Sequence, residues 1–332
     1  MAQMTKWERL EASIQQQPTD RVPWALWRHF YDRETSASDL ARAMLDWQAR
    51  HDFDLLKVNP RAQYHAEVWG ARYRYSGAWD VKPVLESAVV RAPGDWERVD
   101  VRPPTTPVFE EQLQALSAIG RSLHGSMPFV ETVFCPLDVA GYLTGGSGVT
   151  ILREHLREHP KAVHQALQAI TETFIGFVQE VLNAGASGIF FATGSWATRD
   201  TITEEEYETF GRPYDLQVLK AAMEARVNVL HVCRKNNMLR RLLDYPVQVL
   251  NWAVTEEGNP GLGEIADAVT GRAVAGGLSN EALTSPDSAT AVREAEEAAD
   301  QARNRGLILT GNCSIPITSS QDTIDAIHRW LL

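Results

Sequence analysis

The run KAVHQALQAITETFIGFVQEVLNAGASGIFFAT, residues 161–193, holds both halves of the repeating unit from which this chain is built. Over 161–183, Val163, Leu167, Ile170, Phe174, Val178 and Val181 recur at three- and four-residue spacing, one apolar stripe along a helix. Gly185 and Gly188 then stop the helix, and Ile189-Phe190-Phe191-Ala192 reads as a buried strand. Outward from this unit, short β-rich runs recur at 22–30, 53–59, 128–135, 188–193, 227–233, 247–253, 273–279 and 306–310. Helical patterns at 204–224 and 288–303 carry acidic residues early, as the helix dipole prefers. Alternating βα units demand a parallel sheet with right-handed crossovers. Eight such units, with no dinucleotide glycine fingerprint after the first strand, predict an α/β chain folded as a single (β/α)8 TIM barrel. The barrel is expected to take up residues 1–332 as one domain. Residues 63–107 break the rhythm with Val68-Trp-Gly-Ala-Arg-Tyr-Arg-Tyr75 and with Pro103, Pro104 and Pro107. They read as a hairpin and loop excursion after the second strand.

Composition fits this picture. The chain has 332 residues, 44% hydrophobic and 23% charged, ordinary globular values that exclude a disordered chain. At roughly 150 residues per domain the length suggests two domains, but one barrel commonly fills about 250 or more. A net charge of −11 without a basic run argues against nucleic acid or an anionic membrane as partner. The charged start Met1-Ala-Gln-Met-Thr-Lys-Trp-Glu-Arg does not resemble a signal peptide, and no apolar run approaches the roughly 18 residues of a membrane helix. Three widely spaced cysteines exclude a disulfide scaffold and point to a reduced, cytoplasmic setting.

In a barrel of this kind the chemistry gathers where the strands end. Those exits carry Arg28 and His29, Lys57 and Asn59, Cys135, Thr193, His231 and Cys233, Asn251 and Trp252, Gly277, and Asn312 and Cys313. In Leu230-His231-Val232-Cys233, residues two apart project to the same face, so imidazole and thiol point together. Cys313, at the eighth exit, can meet them across the mouth. One imidazole and two thiolates form a zinc set that leaves a position open for substrate. The competing reading is a hydrogen-bonded core histidine beside two packed thiols. Cys135 reads as a packed thiol. His51, His65, His124, His155, His159, His164 and His328 read as solvated, and Trp24, Trp27 and Trp252 as core rather than pocket wall.

Three segments carry a family resemblance: Pro23-Trp-Ala-Leu-Trp-Arg28, Cys135-Pro-Leu-Asp-Val-Ala-Gly-Tyr142-Leu-Thr-Gly-Gly146, and Gly311-Asn-Cys-Ser-Ile-Pro316. Over nearly its whole length the chain resembles the uroporphyrinogen decarboxylase-like superfamily of barrels, and within it the corrinoid-dependent methyltransferases of the methylcobalamin:coenzyme M type. Those carry a His-x-Cys and a distant Cys as zinc ligands, which His231, Cys233 and Cys313 match. Decarboxylases carry Trp-x-Met-Arg-Gln-Ala-Gly-Arg, whereas this chain keeps Arg28 and continues His29-Phe30-Tyr31-Asp32. Their aspartate after the second strand has no counterpart in Lys57-Val-Asn59-Pro60-Arg61, and their Gly-His-Gly is Gly311-Asn312-Cys313 here. Tyr142 matches the decarboxylase tyrosine by its offset from Pro136.

The resemblance implies a zinc-dependent methyltransferase that moves a methyl group from a methylated corrinoid, supplied in trans by a separate protein, to a small thiol held at zinc as thiolate. No side-chain base is assigned; the zinc-held thiolate itself is the catalytic group. Arg28, Lys57, Asn59, Arg61, Tyr142 and Asn251 are candidate substrate contacts, and Glu256 or Glu257 a candidate fourth ligand. Arg234, directly after Cys233, narrows the room at the metal. A homodimer is a family-level expectation. Two other chemistries stand beside this one. One is methyl transfer from folate, as in cobalamin-independent methionine synthases; the other is metal-free decarboxylation of a small carboxylated substrate by Arg28 and Tyr142. A non-catalytic corrinoid- or thiol-binding protein is a further reading.

Overall fold

Gly188 shows why the strands begin where they do. A Cβ there would sit 2.0 Å from the Val227 carbonyl oxygen, so only glycine lets this strand start flush against its neighbour. The computed structural model describes residues 3–145, 149–303 and 306–332; Gly146, the end of one family-like segment, lies outside them. Nine strands occur among the described residues: β1 (Leu56–Val58), β2 (Arg72–Arg74), β3 (Val84–Ser87), β4 (Phe129–Phe134), β5 (Gly188–Ala192), β6 (Val229–Val232), β7 (Val249–Trp252), β8 (Ala273–Leu278) and β9 (Leu307–Gly311). Seven form one parallel sheet in the order β1-β4-β5-β6-β7-β8-β9, with helices between successive strands. Val130, Phe190, Val229, Val249, Ala273 and Ile308, from six different strands, join one apolar cluster with Ala25, Trp27 and Leu55. A flat sheet could not bring β4 and β9 into one cluster, so the sheet is curled. The larger core lies outside the curl, between sheet and helices, and includes the Val163–Val181 stripe of the helix Pro160–Asn183.

The run expected as the first strand, 22–30, is not a ladder strand. It makes one parallel bridge, Trp24 to Leu309. Leu309 N–H donates to Pro23 O (2.8 Å) and Ala25 N–H to Leu309 O (3.0 Å), while Asp54 N–H donates to Trp24 O (2.9 Å). Residues 23–25 thus lie between β9 and the segment entering β1. The physical reason for the missing ladder is local. Pro23 has no N–H to give, and Trp24 N–H goes to the Asp54 carboxylate (3.0 Å) instead of to a strand. That buried carboxylate also takes Arg9 (2.6 Å) and Arg21 (2.7 Å). Further on, Leu26 O accepts from the Trp47 indole and Phe30 N–H donates to Glu34.

After β1 the rhythm breaks as an antiparallel two-stranded ribbon, β2 with β3, whose connecting segment exposes Trp79 and Val81. The helix expected over 204–224 divides into Glu204–Phe210 and Arg212–Ala221, because Pro213 cannot supply the N–H that one continuous helix needs there. No helix among the described residues is long and apolar enough to cross a membrane.

Candidate metal centre

Parallel register builds the centre. His231 on β6 lies opposite Asn251 on β7, and its ring Nδ1 is 2.5 Å from the Asn251 side-chain oxygen. An amide oxygen only accepts, so Nδ1 carries the proton and Nε2 keeps its lone pair. Nε2 is buried and has no hydrogen-bond partner, an unpaired acceptor of the kind that native structures rarely leave. Two residues on, Cys233 leaves the strand, and Cys313 arrives from the turn after β9. The two sulfurs are 3.7 Å apart, and the three donor atoms of His231, Cys233 and Cys313 lie within 4.8 Å of one another. The thiols differ in acidity. Cys313, accepting the hydrogen bond from Cys233, is held well below the usual thiol range with help from the Lys57 ammonium, and Cys233 is pushed up. Two soft sulfurs and a neutral imidazole with a free lone pair fit zinc. Neither Glu256 nor Glu257 belongs to the cluster among the described residues; Glu256 lines the cleft outside it.

That cleft has a volume of about 760 Å³ and is lined by Lys82, Cys233, Arg234, Asn280, Asn312 and Cys313 among others, so the segment between β2 and β3 reaches the site. The turns that shape it are pinned by side chains. Asn312 exchanges hydrogen bonds with Thr255 across the turns after β9 and β7. Arg234 adopts a left-handed backbone (φ 69°) and donates to Ser195 Oγ (3.1 Å), and it lines the same cleft as Cys233 and Cys313. Gly194 (φ 57°) passes so close to Asp138 that a Cβ would lie 2.0 Å from the carboxylate. Burial raises Asp138 to about 7, against the pull of the Ser195 N–H, and its second oxygen has no partner.

The other expected contacts divide. Asn251 is not free for substrate: besides holding His231, its amide donates to Ala275 O and Thr310 Oγ1, each at 3.0 Å. Arg61 is buried and committed to Glu67 (2.7 Å) and Glu111, so no N–H pair is left for an anionic tail. Arg28 opens on a separate cavity with Trp79 and Gln321, its guanidinium over Phe30 and Trp47. Lys57 and Asn59 do come to the centre. Lys57 donates to Asn59, whose oxygen also accepts from Ser314 Oγ (3.3 Å), next to Cys313. Burial lowers Lys57 to about 8, with Cys313, Glu131, Glu34 and Cys233 opposing. Tyr142 packs edge-on against His65, ring centres 4.6 Å apart.

Cys135 is buried and caps the helix Pro136–Leu143, its sulfur accepting from Asp138 N–H. Trp24, Trp27 and Trp252 are core residues. Three histidines read as solvated are buried. His51 lies between Trp47 and Phe53, His65 between Phe134 and Tyr142, and His155 accepts from the Trp96 indole (3.0 Å). Helix and loop patterns conceal this, because the aromatic rings that enclose His65 and His155 come from elsewhere in the chain. Asp138 and the Asn251–His231 bond also escaped the sequence reading. The one available signal was that Asn251 and His231 leave neighbouring strands at the same height.

Residues 5–330 match the uroporphyrinogen decarboxylase (URO-D) family. Uroporphyrinogen decarboxylase of Carboxydothermus hydrogenoformans is 28% identical over 180 residues, 53% of this chain and 49% of that protein. Methylated-thiol–coenzyme M methyltransferase of Methanosarcina mazei is 23% identical over 244 residues, 67% of this chain and 65% of that one. The chain therefore spans about half to two thirds of these curated relatives. Among solved structures, a methyltransferase from Methanosarcina mazei superposes with a TM-score of 0.81 at 20% identity, over 99% of this chain and 98% of that one. A B12-independent methionine synthase from Shewanella sp. W3-18-1 gives 0.58 at 11% identity, over 94% and 91%. At these identities the structural likeness is one of fold.

Proposed function

The chain belongs to the uroporphyrinogen decarboxylase family, and from that premise we propose that it is a zinc-dependent methyltransferase acting on a small thiol. One observation carries the reading: three zinc-type donor atoms within 4.8 Å, with the imidazole Nε2 buried and unpaired. The similarity to the methylated-thiol–coenzyme M methyltransferase supports the methyl-transfer branch. His231 Nε2, Cys233 Sγ and Cys313 Sγ would hold the metal. Zinc bound there supplies one thing, an acceptor sulfur held as thiolate at neutral pH, from an ordinary thiol pKa of about 8.5.

The chain's own residues set up the rest. Asn251 fixes the imidazole tautomer, the Asn312–Thr255 bonds seat the Cys313 turn, and Ser195 accepts from Arg234, a cation in the wall of the cleft beside Cys233. The overall reaction forms a carbon–sulfur bond and breaks the bond from the methyl group to its carrier, which keeps the bonding pair. In this reading the carrier is a methylated corrinoid on a separate protein, met in the cytoplasm. It also treats residues 23–25 as the stave that closes an eight-stranded barrel, within one domain over 1–332. The decarboxylase reading needs Arg28 at the same site as Tyr142, and the separate cavity around Arg28 speaks against it.

Metal content per chain, by mass spectrometry on untagged protein beside Cys233→Ser, tests the proposal. The expected result is about one zinc per chain, lost in the variant while the circular dichroism spectrum is kept. Reduced wild-type protein that takes up no zinc when offered it would refute the reading.

A further inference from the structure

Among the described residues, the buried and half-buried arginines at the two ends of β1 are matched by carboxylates, whereas Lys57 is not. Arg9 holds Asp20 and Asp54, Arg21 holds Asp54, and Arg61 holds Glu67 and Glu111. Lys57, 6% exposed on β1, has Asn59 as its sole hydrogen-bond partner among the described residues. Its ammonium lies 4.8 Å from the centre of the Phe190 ring and 5.8 Å from that of Trp27, inside the curl of the sheet. A buried ammonium without an anion is costly, so its counter-charge has to be identified. Four acidic groups face it: Cys313 from the turn after β9, Glu131 from β4, Glu34 from the segment after residue 30, and Cys233 from the end of β6. Glu34 is already engaged by His29 (2.8 Å) and by Phe30 N–H. Glu131 is fully buried, neither of its oxygens has a hydrogen-bond partner, and it forms no ion pair with Lys57 among the described residues; burial pushes its carboxyl well above the usual range against the pull of Lys57. The cysteine pair is what remains. The geometry joins Lys57 to the centre twice: through Asn59 and Ser314 to the Cys313 turn, and through Phe190, whose ring stacks on His231 with centres 5.1 Å apart.

Charge arithmetic then gives Lys57 a task. A divalent ion with two cysteine thiolates and a neutral imidazole carries no net charge. A third, substrate thiolate brings the buried centre to −1, and one ammonium restores neutrality. We infer that Lys57 is the fixed counter-charge of the acceptor thiolate, a positioning residue that makes the centre bind its substrate sulfur deprotonated. The inference rests on the zinc–thiol reading above and adds to it a residue that makes no hydrogen bond to either cysteine among the described residues. Because the ammonium acts through space on the third sulfur, its removal is expected to change thiol acidity more than metal binding.

Cobalt(II)-substituted protein makes the test optical, since thiolate binding adds a sulfur-to-cobalt charge-transfer band and needs no turnover. Wild type, Lys57→Met and Lys57→Arg are each loaded with cobalt and titrated from pH 5 to 10 with 2-mercaptoethanol, a neutral thiol with no charged tail. In Lys57→Met the midpoint for thiolate binding is expected to rise by about one pH unit, with about tenfold weaker thiol binding at pH 7. Cobalt content stays at the wild-type value. Lys57→Arg keeps the charge and is expected to titrate close to wild type. A cobalt-loaded Lys57→Met with an unchanged midpoint overturns the inference and leaves the metal reading standing. So does a Lys57→Arg midpoint displaced as far as that of Lys57→Met. If Lys57→Met does not fold, Lys57→Gln takes its place with the same expected shift. Wild type that binds no cobalt or zinc overturns the metal reading, and the inference falls with it.

Discussion

Replacing Asn251 with leucine removes the group that orients His231 while leaving every donor atom of the centre in place. The bond at stake runs from His231 Nδ1 to the Asn251 oxygen, 2.5 Å, on adjacent strands in register. A net hydrogen bond of this kind is worth about 0.5–1.5 kcal/mol, and a buried N–H left without a partner costs about 1–3 kcal/mol. The imidazole is also freed to move its proton to Nε2, which removes the lone pair a metal needs. Together these predict a loss of about 10–100-fold in zinc affinity, the usual range for residues that support a metal-ligating histidine. Ala275 O and Thr310 Oγ1 lose the Asn251 donor as well, so the metal-free protein is expected to unfold about 1–3 kcal/mol more easily. Competition with a zinc chelator at pH 7 gives the first quantity, and urea denaturation of metal-free protein gives the second. Asn251→Asp keeps an acceptor opposite Nδ1 and is expected to retain most of the affinity. A folded Asn251→Leu whose zinc affinity stays within about threefold of wild type would refute the claim that the Asn251 oxygen holds His231 in its metal-ready tautomer.

Two further predictions concern the scaffold. Asp54→Ala strips the carboxylate that joins Arg9, Arg21 and Trp24 N–H at the entry to β1, and it should destabilise the protein by about 1.5–3 kcal/mol because Arg9 is left with Asp20 alone and Arg21 and the buried Trp24 N–H lose their acceptor; a change in urea stability below about 1 kcal/mol would contradict the hydrogen bonding described for residues 23–25. Burial holds His65 down at about 3 and His51 at about 4, while an unfolded histidine titrates near 6.5. The unfolded chain therefore takes up these protons first, and stability is lost as pH falls from about 6.5 toward the folded values, each residue contributing a slope of about 1.4 kcal/mol per pH unit. His65→Phe should flatten the urea midpoint against pH between 6 and 4, and an unchanged slope would show that His65 does not titrate as its burial requires.

Much of this molecule was already written in local pattern. The helical stripe from Val163 to Val181 and the short apolar runs between turn residues are properties of neighbouring residues, and seven of the eight expected strands form. The three metal-type donors were legible for the same reason. Residues two apart on a strand share a face, which pairs His231 with Cys233, and parallel strands deliver their ends to one edge, which brings Cys313 to them. Tertiary structure decided what each polar group meets. Asn251 looked like any polar residue at a strand exit until register set it against His231, and Arg61 looked available until Glu67 and Glu111 closed on it. The 22–30 run had a strand's composition, but Asp54, more than twenty residues on, took the Trp24 N–H and left one bridge. Periodicity is encoded by residues a few positions apart, whereas hydrogen-bond partners, burial of a histidine and isolation of a lysine depend on atoms brought together from distant parts of the chain, and only the folded sheet sets those distances.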